Sequence, residues 1–293
     1  MPDRRKLIVT HHAPDIDAIG AVWLLKRFDA KNYADAKVAF VEPGERISLK
    51  AAREFGAELH EVTHVDTGLG RFDHHQPDRG KQYLCATSLV HDYLTSLDPN
   101  LKDNLPLQYL CDYITDIDHF AEINWPETGT PRESFAIYNL IRGLEFLEMH
   151  DNDSQLHFGF TCLDSAYAIL VQYFKADEAL KKKSKTAKHG NISCLYIESR
   201  NDDTIKLAQN RGYQLVVRKD PKQGHIRIKA RPDSEIDLEP LYHAIKKKDQ
   251  QGKWFFHPSG KMLLNGSSKH TNQQPSPLTL EEVSAMIKHI YGS

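Results

Sequence analysis

The chain has 293 residues, 40% hydrophobic and 27% charged, which suits two domains and excludes a disordered or fibrous class. No apolar run approaches the ~18 residues of a membrane span, and four scattered cysteines (Cys85, Cys111, Cys162, Cys194) exclude a CxxC zinc cluster or a disulfide framework. The net charge of −2 hides an imbalance: residues 1–180 hold 17 Lys and Arg against 29 Asp and Glu, and residues 181–293 hold 21 against 11. An acidic half can hold cations, and a basic half can hold a polyanion. The opening MPDRRKLIVTHH has only a four-residue apolar run before two histidines, too short for a signal-peptide core, so an intracellular, cytoplasmic protein is expected.

In chain order, KLIVTHH (6–12) reads as a buried strand ending in polar residues. DAIGAVWLLKRF (17–28) is a helix with an apolar stripe through Ala18, Val22, Leu25 and Phe28, and Asp15 and Asp17 suit its positive N-terminal end. KVAFVEP (37–43) is a second strand, SLKAAREFGA (48–57) a helix ending at Gly56, THVDTG (63–68) a third strand and RFDHHQ (71–76) a short fourth. This alternation predicts an α/β domain with a mostly parallel, doubly wound sheet. Helices are expected at 86–97, 105–117, 132–147 and 163–183. The Lys-rich, Gly-ended KSKTAKHGN (183–191) reads as a linker between a first domain at 1–182 and a second at 192–293. In that second part, SCLYIES, YQLVVRK and HIRIKARP alternate as strands, and 278–291 is a closing helix, giving a smaller α+β domain.

Three clusters carry chemistry. His11, Asp15 and Asp17 fall at the C-terminal end of the first strand, the edge where ligands bind in open α/β sheets. Pro14 stiffens this turn, and Gly20 lets the helix pack closely on the sheet. One imidazole and two carboxylates suit Mn²⁺ or Mg²⁺ better than a soft metal. A polar turn with a capping Asp is the plainer account of this cluster taken alone. Asp66 ends another strand at the same edge, and Asp73-His74-His75-Gln76 follows. His74 can ligate a metal, while His75 can donate to a substrate oxygen or link to a carboxylate. The third cluster, Thr115-Asp116-Ile117-Asp118-His119-Phe120, puts two acids at a helix C-terminus, where a compensating cation is expected.

In order and spacing, His11-x-x-x-Asp15-x-Asp17-Ala18-x-Gly20, Asp66-Thr67, Asp73-His74-His75 and Thr115-Asp116-x-x-x-Phe120 resemble the DHH phosphoesterase superfamily over residues 6–120. That superfamily holds RecJ-type exonucleases, oligoribonucleases, cyclic-dinucleotide phosphodiesterases and family II pyrophosphatases. Ala86-Thr87-Ser88-Leu89-Val90 is similar to the small-residue helix that follows its Asp-His-His motif. Asp73-His74-His75-Gln76 also resembles the melanocyte-proliferating-gene-type exonuclease branch, which usually has adjacent acids where this chain has Asp15-Ile16-Asp17. The resemblance implies a two-metal hydrolase with Mn²⁺ first and Mg²⁺ second. His11, Asp15 and Asp66 would hold one ion, and Asp17, Asp66, His74 and Asp116 the other, with Asp66 bridging. Asp118 fits the exonuclease branch about as well as Asp116 fits the general pattern. His75 and Asp73 are then the catalytic pair.

The resemblance also implies substrate contacts from the second domain. His257, Lys261, Gly266, Ser267, Lys269 and His270 are the candidates, in a loop where glycine admits a phosphate and the others donate to it. Arg227 and Lys229 share a strand face with His225 and Arg231, which could track a nucleic-acid backbone or simply be solvated. The expected function is cleavage of phosphodiester bonds in short oligonucleotides or at nucleic-acid ends. A small-molecule phosphatase or pyrophosphatase and a non-catalytic nucleotide- or RNA-binding protein are the alternatives. No membrane partner is expected, and a homodimer is left open.

Overall fold

The computed structural model describes residues 6–147, 151–266 and 274–292. The chain forms two compact units, Met1–Leu170 and Val171–Ser293.

In the first unit, β1 (Leu7–His11), β2 (Lys37–Val41) and β3 (Val62–His64) form a parallel sheet in the order β2-β1-β3. Side chains alternate across the sheet. Ile8 enters a core with α1 (Ile16–Phe28) and α2 (Ala30–Tyr33), while Leu7 and Val9 pack with Ala39 and with Ala52 of α3 (Leu49–Glu54) on the other face. Covering both faces is what keeps a parallel sheet dry, and the expected α/β class is present. α4 (Ala86–Leu97) and α5 (Leu105–Asp118) pack against α1. Gly20 permits this contact: a Cβ there would lie 2.5 Å from Thr87 Oγ1 and 2.8 Å from Ile114 Cδ1. Its close approach is thus to α4 and α5, not to the sheet as the sequence suggests.

Three expected elements differ. Residues 71–76 form no strand; only Phe72 bridges, to Val65, because the Asp73 carboxylate takes the amides of Leu69 and His75 and curls the segment. The helix expected at 132–147 is broken into a 3₁₀ turn at Pro131–Phe135, α6 (Ile137–Gly143) and a second 3₁₀ turn at Leu144–Phe146. The helix expected at 163–183 is longer, α7 (Asn152–Lys183). Gly159 does not stop it, since its bare backbone rests on Ile19, whose Cγ2 a Cβ would meet at 2.7 Å.

The second unit is built on a six-stranded mixed sheet in the order β4-β5-β6-β7-β9-β8. Its strands are β4 (Lys185–His189), β5 (Ile192–Glu198), β6 (Leu215–Lys219), β7 (Ile226–Ala230), β8 (Trp254–Phe256) and β9 (Met262–Asn265). The supposed linker therefore contains a strand. Lysines that read as linker composition are the charges that protect an edge strand, and the glycine marks a tight turn into β5, with Gly190 at φ 58°. One face packs on α9 (Glu239–Lys248) and α10 (Leu280–Tyr291), the other on α8 (Asp203–Asn210) and Leu180. No helix among the described residues is long and apolar enough to cross a membrane.

Candidate metal centre

Six side chains converge at the C-terminal edge of the parallel sheet. His11 closes β1, and its Nε2 lies 3.2 Å from Asp66 Oδ2. Asp15 is the N-cap of α1. Its Oδ1 accepts from the amides of Asp17 and Ala18 at 3.0 Å each, and neither contact uses Oδ2. Asp17 is 1% exposed and caps α4 from across the fold, accepting from the Ala86 and Thr87 amides at 2.8 Å each. Asp66 is 5% exposed, and its other oxygen, Oδ1, lies 3.4 Å from His74 Nε2. His74 Nδ1 in turn lies 3.6 Å from Asp118 Oδ2.

Three sets each offer ligand atoms within 4.8 Å of one another: His11, Asp15 and Asp66; Asp17, His74 and Asp118; and Asp66, His74 and His75. Asp66 contacts both sides of the cage through different oxygens. Its Oδ1 and His74 Nε2 are buried with no hydrogen-bond partner among the described residues. A buried polar atom left without a partner costs roughly 1–3 kcal/mol, so two facing each other in one cage fit a divalent cation. Carboxylate and imidazole donors suit a metal of intermediate hardness.

The electrostatics agree. Burial first, then the charges of Asp66, Asp118 and Asp15, pushes the Asp17 carboxyl up to about 8. Burial also raises Asp118 to about 6, against the pull of His74 and with help from Asp66 and Asp15. Asp15 is raised by desolvation and by Asp66. Burial pulls His11 and His74 down, but their carboxylate neighbours, Asp66 foremost, win and lift each to about 9. Asp66, which burial pushes up, is held below the usual carboxylate range by those two imidazoles. Without cations, these shifts favour a cage that keeps protons.

The backbone is strained around the same place. Among the described residues, the non-glycine residues with positive φ are Ala13, Asp66, Leu69 and Phe120. Each borders or belongs to the cage loops, and such conformations cost about 1–3 kcal/mol and cluster at functional sites. Ala13 is held by Asn152, whose Oδ1 accepts its amide at 2.7 Å, and Asp66 by its amide donating to Phe72 at 2.9 Å.

Among solved structures, the chain is similar to the DHH domain of a member of a family of ribosomal proteins, at 14% identity and a TM-score of 0.33, over 98% of this chain and 87% of that one. It is also similar to RecJ in complex with Mn²⁺ from Thermus thermophilus, at 15% identity and a TM-score of 0.32, over 97% of this chain and 52% of that one. A third is a candidate family II inorganic pyrophosphatase of Methanococcus jannaschii, at 12% identity and a TM-score of 0.24, covering 98% of this chain and all of that one. The chain is similar to DHH-domain proteins. No family profile matches it, and neither does any curated protein.

The expected ligands His11, Asp15, Asp17, Asp66 and His74 are brought together, but Asp116 is not. It accepts from the Tyr83 hydroxyl at 2.7 Å, on the other side of α5. Two residues apart on a helix point roughly opposite ways, so only one of the two acids can face the cage, and it is Asp118. The signal was available: the buried residues of α5 are Leu107, Leu110, Cys111, Ile114 and Thr115, and Asp118 continues that stripe. Asp73 does not face the cage. Its carboxylate is spent on the Leu69 amide and on the amide and Nδ1 of His75, which it orients. His75 itself is exposed, its Nδ1 3.7 Å from Asp66 Oδ1.

The second-unit candidates fare differently. Lys261 donates to the carbonyls of Ser234 and Ile236 at 2.6 and 2.7 Å, so it staples a loop. His257 Nδ1 contacts Ser259 within its own turn. Arg227 is 17% exposed and paired with Asp202, and burial, then Arg227, lowers Lys229. Their strand face is therefore packed beside α8, not open. Gly266, at φ 79°, lies against the His225 ring, leaving no room for a Cβ. Ser267, Lys269 and His270 lie outside the described residues.

Proposed function

We propose that the chain is a two-metal-dependent phosphoesterase that cleaves phosphodiester bonds in short oligonucleotides or at nucleic-acid ends. The observation that carries this reading is the pair of buried atoms Asp66 Oδ1 and His74 Nε2, which have no hydrogen-bond partner among the described residues and lie where two ligand sets meet. His11, Asp15 and Asp66 would hold one ion, and Asp17, Asp66, His74 and Asp118 the other. Mn²⁺ is preferred over Mg²⁺ because two imidazoles contribute.

Bound divalent cations supply Lewis acidity, lowering the pKa of water and neutralising phosphoryl charge. The chain's own residues do the rest. Backbone amides already orient the Asp15 and Asp17 carboxyls towards the cage in the ion-free fold. Asp73 orients the His75 ring through Nδ1 at 2.8 Å, which leaves Nε2 for a substrate oxygen. The basic balance of residues 181–293 suits a polyanionic substrate.

The test is turnover with Mn²⁺ of labelled oligonucleotides, a cyclic dinucleotide and pyrophosphate. Mononucleotide release is expected, and Asp66→Asn should lower it by at least roughly 100-fold, the upper range for weakening a metal shell. Orthophosphate release from pyrophosphate alone moves the reading to a small-molecule phosphatase. No turnover of any of the three defeats it.

A further inference from the structure

Three cage carboxylates, Asp15, Asp17 and Asp118, share a cavity with a group of residues that the metal reading leaves unused. Phe120, Ile117 and Ile141 give it apolar lining, and Glu122 gives it an acid. Glu145 adds a fifth carboxylate, against the single guanidinium of Arg142. Once cations neutralise the three cage carboxylates, Glu122 and Glu145 still outnumber the Arg142 guanidinium, so a second phosphate placed here would meet net like charge. The occupant beside the reacting phosphate is therefore uncharged.

Two further observations narrow its chemistry. Phe120 follows the cage directly in sequence, is 77% exposed and sits in the left-handed region at φ 58°. A large ring held open to solvent on a strained backbone is a surface prepared for a flat partner. Glu122 Oε2 is buried and has no hydrogen-bond partner among the described residues. As an acceptor without a donor it calls for an N–H group on the occupant's edge. A flat ring with apolar faces and an amino edge, joined to a phosphate, is a nucleobase.

We propose that this cavity is the base subsite of the enzyme: Phe120 stacks on the base of a nucleotide substrate, and Glu122 accepts from its exocyclic amino group. This rests on the phosphoesterase reading and names its substrate as a nucleotide bearing adenine, cytosine or guanine, in preference to uracil. Uracil would turn two carbonyl oxygens towards the Glu122 carboxylate, with one N–H between them. Carboxylate acceptance from the cytosine amino group is an established pairing mode.

Calorimetric binding of CMP, UMP and ribose 5-phosphate tests the subsite without requiring turnover, with Mn²⁺ and again with a chelator. CMP should bind about tenfold more tightly than ribose 5-phosphate, within the range that one base–aromatic stack contributes. Phe120→Ala and Phe120→Leu should remove most of that ratio, and Phe120→Trp should restore it. CMP should also bind about tenfold more tightly than UMP, and Glu122→Gln, whose amide both donates and accepts, should bring the two together. Melting curves establish that the variants are folded, which exposure at Phe120 favours. A CMP to ribose 5-phosphate ratio that is unchanged in Phe120→Ala overturns the proposal. Parallel turnover of dinucleotides separates the two readings. Intact ratios without hydrolysis support the subsite and remove the phosphoesterase. Hydrolysis with ratios indifferent to Phe120 removes only the subsite.

Discussion

Asp116 and Asp118 present the sharpest contrast at the scale of single residues. They are the same acid on the same helix, yet one meets Tyr83 and the other meets His74. Asp118→Asn should weaken Mn²⁺ binding at least tenfold, as loss of a shell carboxylate does, while Asp116→Asn should leave it within about twofold. Calorimetric Mn²⁺ titration reads both, and the opposite order would return the ligand role to Asp116. The sequence contains this answer only in the phase of α5, because motif spacing alone fits either acid. Asp15, Asp17, Asp66 and His74 were legible for simpler reasons. Asp15 and Asp17 stand at the start of α1 and Asp66 just past β3, where backbone geometry largely decides the direction of a side chain, whereas His74 lies in the loop that Asp73 curls and was marked by its motif alone.

At the scale of elements, the cage depends on how closely α1, α4 and α5 approach. Gly20 is the hinge of that packing, and Thr87 Oγ1 donates to the Asp17 carbonyl at 3.0 Å beside it. Gly20→Ala should destabilise the fold by about 1–3 kcal/mol through overpacking, read from the urea midpoint. Mn²⁺ affinity should fall with it, since the shift moves the amides that hold Asp17. Gly143→Ala, where an added Cβ meets nothing within 4 Å among the described residues beyond its own helix backbone, should be neutral or slightly stabilising. Equal losses from both substitutions would mean that helix propensity, not close approach, sets the effect. Periodicity exposed α1, β1 and β7 readily. It missed β4 because edge lysines resemble linker composition, and it missed the break within 132–147 because that segment's apolar residues, Phe135 and Phe146 among them, are exposed rather than buried on one stripe.

For the whole molecule, the cage couples folding to pH and to cations. Asp17 is held up at about 8, so the metal-free fold keeps a proton that the unfolded chain releases near its ordinary value of 3.8. That contribution is complete below about 4 and is lost as pH rises through about 8. His11 and His74, each raised to about 9, contribute stability below about 6.5 that is lost as pH rises through 9. Asp66 works the other way, adding stability above about 4. Between pH 6 and 9 the raised groups dominate, so the melting temperature of chelated protein should fall across that window. Saturating Mn²⁺ should raise the curve most at its alkaline end, because binding to the fold adds stability by mass action. A chelated protein whose melting temperature is flat from pH 6 to 9 would contradict the cage's electrostatics.

The cap that Asp17 places on α4 gives the cation a local witness. The first amides of a helix have no partner within it, so those of Ala86 and Thr87 depend on one carboxylate that also faces the cage. When chelation leaves that carboxylate protonated, it accepts more weakly, and the first turn of α4 loosens. Hydrogen–deuterium exchange at these two amides should accelerate on chelation and slow again on adding Mn²⁺, while amides in the middle of α4 keep their rates. The occupancy of the cage can thus be followed amide by amide, at a helix end that no substrate needs to touch.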